Sequence, residues 1–106
     1  TDVYASLTPA QAALIYVCWR NTKRMAESIA FKISKENPFF RVLTTTLLNV
    51  GARFWLDRLE KYFTRLGREY ERAIDKAKNY VELKRMGTDF HRLRAMYKEM
   101  RVTKFS

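Results

Sequence analysis

The chain has 106 residues, 47% of them hydrophobic, and a formal charge of +10 from 21 Lys plus Arg against 11 Asp plus Glu. That hydrophobic fraction excludes a disordered chain, and the length suits one domain that closes a core with little margin. The positive excess is spread, with 7 basic and 3 acidic residues in 1–56 and 14 and 8 in 57–106, so it attracts nucleic acid, anionic lipid or acidic proteins without choosing among them.

Three glycines and two prolines leave few loops, and an almost wholly helical, all-α chain is expected. Leu7-Thr8-Pro9-Ala10-Gln11 reads as its first helix start. Thr8 can cap, Pro9 suits the first helical position, and Gln11 sits where a capping box wants Glu or Gln. Ala12 to Trp19 is apolar nearly all round, and the 17 residues from Val3 to Trp19 carry no formal charge. A helix apolar on every side is buried in protein or in lipid, while a membrane span needs about 20 apolar residues. Trp19 and the basic Arg20, Lys23 and Arg24 resemble a membrane boundary. A protein-buried helix, a span and an interfacial helix are the competing readings.

Met25, Ile29 and Ile33 mark one face of a second helical piece. Proline at 38 disfavours helical geometry at Asn37, so that piece should end there, and Asn37 can cap the next helix. Between Arg41 and Arg53 lie 11 uncharged residues, with Phe40, Leu43, Leu47, Val50 and Phe54 in helical spacing. Val and Thr favour strands, but no partner strand is evident and a helix is expected. Aromatics beside arginines at both ends, namely Phe39, Phe40, Arg41, Arg53, Phe54 and Trp55, together with Trp19, are membrane-edge candidates with snorkelling cations.

Arg53 to Met86 reads as one long charged helix, about 50 Å at roughly 1.5 Å per residue. Ala52, Leu56, Leu59, Phe63, Leu66, Tyr70, Ala73, Ala77 and Tyr80 alternate spacings of four and three along it, the seam of a coiled coil or of bundle packing. Leu56, Leu59, Phe63, Leu66, Tyr70 and Tyr80 are the candidate contacts to a partner helix. Asp57 precedes Lys61 in the favourable order for an ion pair. Gly87 fits the residue just past the helix, and Thr88 can cap a last one. Phe90, Leu93, Tyr97 and Met100 give that last helix its apolar face. Arg92, Arg94, Lys98 and Arg101, with His91 and Lys104, make it the densest basic element, the best suited to anionic lipid or RNA.

The expected architecture is one extended helical chain. It comprises N-terminal helices over 1–37, an apolar segment from 38 running into the long helix to 86, and a basic helix over 87–106. So much rod leaves too little core to stand alone, and partner subunits are expected.

Candidate chemistry is sparse. His91 is the only histidine and Cys18 the only cysteine, which excludes a zinc site of common type and an internal disulfide. The apolar neighbours of Cys18 mark a small buried hydrophobe. Gly51, Gly67 and Gly87 are isolated, so there is no Gly-rich phosphate loop. Glu69 and Glu71 read as helix-surface carboxylates. No cofactor or metal is implied, no secretory signal is visible, and the protein is expected not to be an enzyme.

Two resemblances extend this reading. Leu7-Thr8-Pro9 followed by Trp19, and Ile33-Ser34-Lys35-Glu36-Asn37-Pro38, are similar to the opening of a globin and to that family's second helix and turn, over about a third of the chain. Thr44 stands where that family's haem-packing phenylalanine is expected, and Val81–Gly87 lacks its proximal histidine. This resemblance therefore implies a small haem-free globin-like protein. A short aromatic-edged apolar segment running into a long charged helix looks like stalk or accessory subunits of rotary ATP synthases and respiratory complexes. The expected function is that of a non-enzymatic accessory subunit of a mitochondrial inner-membrane complex, on the membrane or matrix side. The alternatives are an RNA-contacting mitochondrial ribosomal protein and the haem-free globin-like protein.

Overall fold

A computed structural model describes residues 6–102, with side chains described throughout except at 43 and 45–48. Several of the helices start on side-chain caps that the sequence spells out. Thr8 Oγ1 accepts from the Gln11 N–H at 3.1 Å and Gln11 Oε1 from the Thr8 N–H at 3.0 Å, a closed capping box that starts α1 (Pro9–Asn21). Thr22 then serves both sides of a break. Its N–H donates to the Cys18 carbonyl at 3.0 Å, ending α1, while its hydroxyl accepts from Met25 N at 3.1 Å to start α2 (Lys23–Ser34). Asn37 caps α3 (Pro38–Val50) by accepting from Phe40 N at 3.1 Å. After α4 (Ala52–Leu66) and α5 (Glu69–Arg85), Gly87 takes φ +74°. The cap of α6 (Phe90–Val102) is Asp89 rather than Thr88, its carboxylate accepting from His91 N at 2.6 Å. Among the described residues there are six helices and no strand.

α1 is the central element. It packs most extensively on α5, then on α2 and α4, and touches α6. Ala10, Ala12, Ala13, Leu14 and Ile15 are wholly buried, so the part of the uncharged run from Pro9 to Trp19 is a helix inside protein, while residues 3–5 lie outside the described residues. Among the described residues no helix is long and apolar enough to cross a membrane. The small side chains on α1 let its neighbours approach from every side.

The extended architecture is corrected. The described chain measures 36 × 30 × 23 Å with a radius of gyration of 12.7 Å, close to the roughly 13 Å of a compact domain of this size. A 50 Å rod does not fit. The stretch from Arg53 to Met86 is two helices, broken at Gly67 with φ +61° and ψ −130°. Gly51, φ +90°, likewise separates α3 from α4. The break at Gly67 lets both halves of the apolar seam fold onto α1. Helix polarity supports it: Arg65 closes α4 and Glu69 and Glu71 open α5, each with the sign that the helix dipole prefers.

Gly67 offers a test of sign. In a continuous helix, Gly→Ala adds about 1 kcal/mol of stability. At φ +61° an added Cβ meets no atom within 4 Å, but the backbone itself is strained for an L residue, at about 1–3 kcal/mol. Gly67→Ala should therefore destabilise by about 1–3 kcal/mol in chemical denaturation. A stabilised variant would restore the single helix.

Candidate functional site

The coiled-coil-like seam faces inward. Leu59, Phe63 and Tyr80 are buried and Leu56 and Leu66 partly so, with Tyr16 of α1 edge-on to Phe63 at 5.4 Å. Tyr16 also donates from its hydroxyl to Glu60 at 3.2 Å, and Tyr62 donates to the Leu7 carbonyl at 3.3 Å. The chain's own α1 thus takes the place expected for a partner helix. The physical reason is that α1, apolar on all sides, needs cover from several directions. Tyr70 alone of the six seam candidates stays exposed, stacked on Phe63 at 5.8 Å and 29°.

The membrane-edge set splits in two. Trp19, Phe40 and Trp55 are core residues, with ring centroids 5.7 Å apart for Trp19–Trp55 and 5.9 Å for Phe40–Trp55. They join α1, α3 and α4 and offer nothing to a bilayer. Phe39, Arg41, Arg53 and Phe54 point outward. Alternating exposure is what one-sided burial of adjacent helical residues dictates, since neighbours sit about 100° apart around the axis.

The outward residues mark the first candidate surface. On α3, Phe39 is 66% and Val42 77% exposed, and Val50 is exposed too. Positions 39, 42 and 50 fall within roughly a quarter of the helix circumference, forming an apolar strip. α3 packs on α2 and α4 alone to any extent, so it is an edge helix. Thr44 on its inner side is buried, its hydroxyl donating to the Phe40 carbonyl at 2.7 Å. The expected apolar positions Leu43 and Leu47 lie outside the described side chains. No carboxylate occurs between Glu36 and Asp57, whereas Arg41 and Arg53 are present, and Arg58 lies over the Phe54 ring at 5.5 Å. The segment is therefore cationic in sequence, although Arg41 lies on the far side of α3 from Phe39 and Val50. Asp57 is engaged by Lys61 at 3.4 Å.

The second candidate surface is basic. Arg92, Arg94 and Lys98 of α6 are exposed, while Arg101 is committed to Glu36 at 3.0 Å. Lys104 lies outside the described residues. Sequence reasoning missed that Lys32 of α2 joins this region: its ammonium sits over the Tyr97 ring at 4.7 Å. No local signal could have shown it, because the two residues lie on different helices.

Reactive chemistry is muted. Burial pushes the Cys18 thiol up to about 12, with Lys84 pulling weakly the other way, so the thiolate nucleophile is not accessible near neutrality. His91 is exposed on α6. Among the described residues no three His, Cys, Asp or Glu side chains come together to hold a metal. An open cleft of about 570 Å³ lies beside the C-terminal ends of α1 and α5, lined by Val17, Asn21, Lys78, Val81, Arg85 and Met86. Asn21, in that lining, donates to the Val17 carbonyl at 2.8 Å and accepts from Arg85 at 3.3 Å.

No protein-family model, curated protein sequence or solved structure matches the chain. The class that fold and surfaces define is a compact, basic, all-α domain with one apolar edge helix.

Proposed function

We propose that the protein is a non-enzymatic accessory subunit of a larger assembly, docking through the outer face of α3. The supporting observation is the apolar strip of Phe39, Val42 and Val50, which the chain's own helices leave uncovered. Exposed apolar side chains grouped on one helix face mark interaction sites, whereas scattered ones do not. The internal seam on α4 and α5 has no part in this docking. The proposed setting is a mitochondrial inner-membrane complex of the ATP synthase or respiratory-chain type, on the membrane or matrix side. What favours it is an aromatic-edged apolar segment flanked in sequence by Arg41 and Arg53, suited to a partner subunit beside anionic lipid.

A photocrosslinking side chain placed at Val42, followed by native purification, tests the reading. Adducts with a neighbouring protein chain are expected there, with few from a control position at Arg72. Phe39→Glu together with Val42→Glu should abolish co-purification while changing the melting temperature little, because both sites are largely exposed. Adducts with lipid alone would reassign the strip to the membrane itself.

A second reading, an RNA-contacting ribosomal protein, rests on exposed Arg92, Arg94 and Lys98. It requires cosedimentation with ribosomal RNA and release at high salt, since phosphate contacts are salt-sensitive. Retention of the α3 double variant in such particles would favour it.

A further inference from the structure

The break at Gly67 also gathers aromatic rings. Phe63 lies in the last turn of α4 and Tyr70 in the first turn of α5. A continuous helix would hold residues seven positions apart about 10 Å apart along its axis, but the turn brings these two rings to 5.8 Å at 29°. Tyr16 of α1 stands near perpendicular to Phe63, at 5.4 Å and 86°. The three rings, with Glu60 and Thr64, line a cavity of about 230 Å³. That is below the roughly 300–1,000 Å³ of sites for drug-sized ligands, so it suits a small group. The Tyr16 hydroxyl donates to Glu60 at 3.2 Å and accepts from Arg20 at 3.3 Å, which ties the α1 side of the lining to the α4 side. Thr64 spends its hydroxyl proton on the Glu60 carbonyl at 3.0 Å. Among the described residues the Glu60 carboxylate forms no ion pair, and it is the one formal charge in the lining.

We propose that this cavity between α1, α4 and α5 binds the trimethylammonium group of a phosphocholine, with Arg20 beside it holding the phosphate. Ring faces attract a cation by their quadrupole, and the centroid separations let one cation lie within about 6 Å of more than one ring. Glu60 adds a full negative charge to that attraction. A quaternary ammonium suits such walls because its charge sits behind methyl groups, which pack on rings and ask for no hydrogen-bond acceptor. The Tyr16 ring already draws a cation, the Arg20 guanidinium at 5.7 Å. Arg20 is exposed, and its fork can take two oxygens of one phosphate. That favours phosphocholine over a trimethylated lysine, which carries no anion a few bonds from its nitrogen. A free ester and a lipid head present the same group. The site does not depend on the role proposed for α3.

Calorimetric titration of the whole chain with phosphocholine, choline and 3,3-dimethylbutanol, the neutral isostere of choline, tests the site. Phosphocholine should bind most tightly, and the alcohol about fivefold or more below choline. Tyr70→Leu, at a ring 39% exposed, should weaken phosphocholine and choline alike by about two- to fivefold, and so should Glu60→Gln. Arg20→Gln should weaken phosphocholine by about threefold or more while leaving choline within about twofold. Glu82→Gln, an equal charge change in the other cleft, should alter neither by more than about twofold. A melting curve on each variant checks that it folds. Vesicles of phosphatidylcholine, set against phosphatidylethanolamine vesicles of the same net charge, separate the sources. Capture by the former alone, reversed by phosphocholine, supports the site with a lipid head as ligand, and binding of phosphocholine without capture supports it with a free ester. Equal binding of choline and the alcohol, unchanged binding in Tyr70→Leu, or no binding of phosphocholine would overturn it. So would a trimethyllysine peptide that binds when phosphocholine does not, since that reassigns the cavity to a modified protein chain.

Discussion

Replacing Trp55 by alanine should remove about 3–5 kcal/mol of stability, a large part of the roughly 5–15 kcal/mol that a domain of this size possesses. Trp55 is 0% exposed. Its ring meets Trp19 of α1 and Phe40 of α3, so one side chain on α4 ties three helices together. Truncation loses the transfer free energy of the indole and leaves a cavity that the small residues of α1 cannot fill. Aromatic pairs contribute about 0.5–1.5 kcal/mol each beyond their buried area, and two are lost at once. Phe54, the preceding residue, is 39% exposed, and its replacement by alanine should cost far less. Urea titrations of the two variants, compared by midpoint at unchanged slope, provide the measurement. Equal costs would show that the aromatic centre of the fold is misplaced.

Raising the pH should unfold the protein through Cys18 across a window that opens near 9. The thiol pKa goes from 9.0 to about 12 on burial among α1 and its neighbours. Below pH 9 the thiol is protonated in both folded and unfolded chains, and its full contribution to stability is present. Above 9 the unfolded chain gives up the proton while the folded chain keeps it, so the unfolded state binds fewer protons. Stability then falls by about 1.4 kcal/mol per pH unit from this one group, until the folded thiol itself ionises near 12. Tyr80 and Tyr97 act in the same direction at somewhat higher pH. Burial raises both, and the Tyr97 hydroxyl is further held protonated by its hydrogen bond to Glu36. Denaturant titrations at pH 8, 9, 10 and 11 should show this slope, and Cys18→Ala should flatten its first part, leaving the tyrosine contribution. An unchanged slope in that variant would mean that the thiol is not desolvated. A thiol-reactive dye should label Cys18 slowly in the folded chain at neutral pH and rapidly in denaturant.

Much of the fold could be read from the chain because helix caps are local. The capping box at Thr8–Gln11, the Asn37-Pro38 start and the left-handed Gly87 each depend on residues within one turn of one another. Gly67 was harder. The apolar seam runs through it without a change of spacing, and one glycine in a helix costs only about 1 kcal/mol, so periodicity outvoted the break. The arginine before it and the glutamates after it carried the information, as an end and a beginning written in charge. At the candidate surfaces, Phe39 stood out for its neighbours, but Val42 is an unremarked valine until the edge position of α3 is known. Lys32 and Tyr97, which meet across α2 and α6, have no shared signal in sequence, since each lies on a different helix.

The sequence by itself determined that this protein is all-α, where most of its helices begin, and that its surface is cationic. Only the tertiary structure decided that α1 is the centre, that the seam on α4 and α5 is spent inside the chain, and that α3 keeps an uncovered apolar strip. The reason is that helical periodicity specifies which side of a helix avoids water. It does not specify whose apolar surface will meet that side, because hydrophobic burial is non-directional and accepts any partner of suitable shape. Two glycine breaks, by letting the chain return on itself, supplied the partner from within.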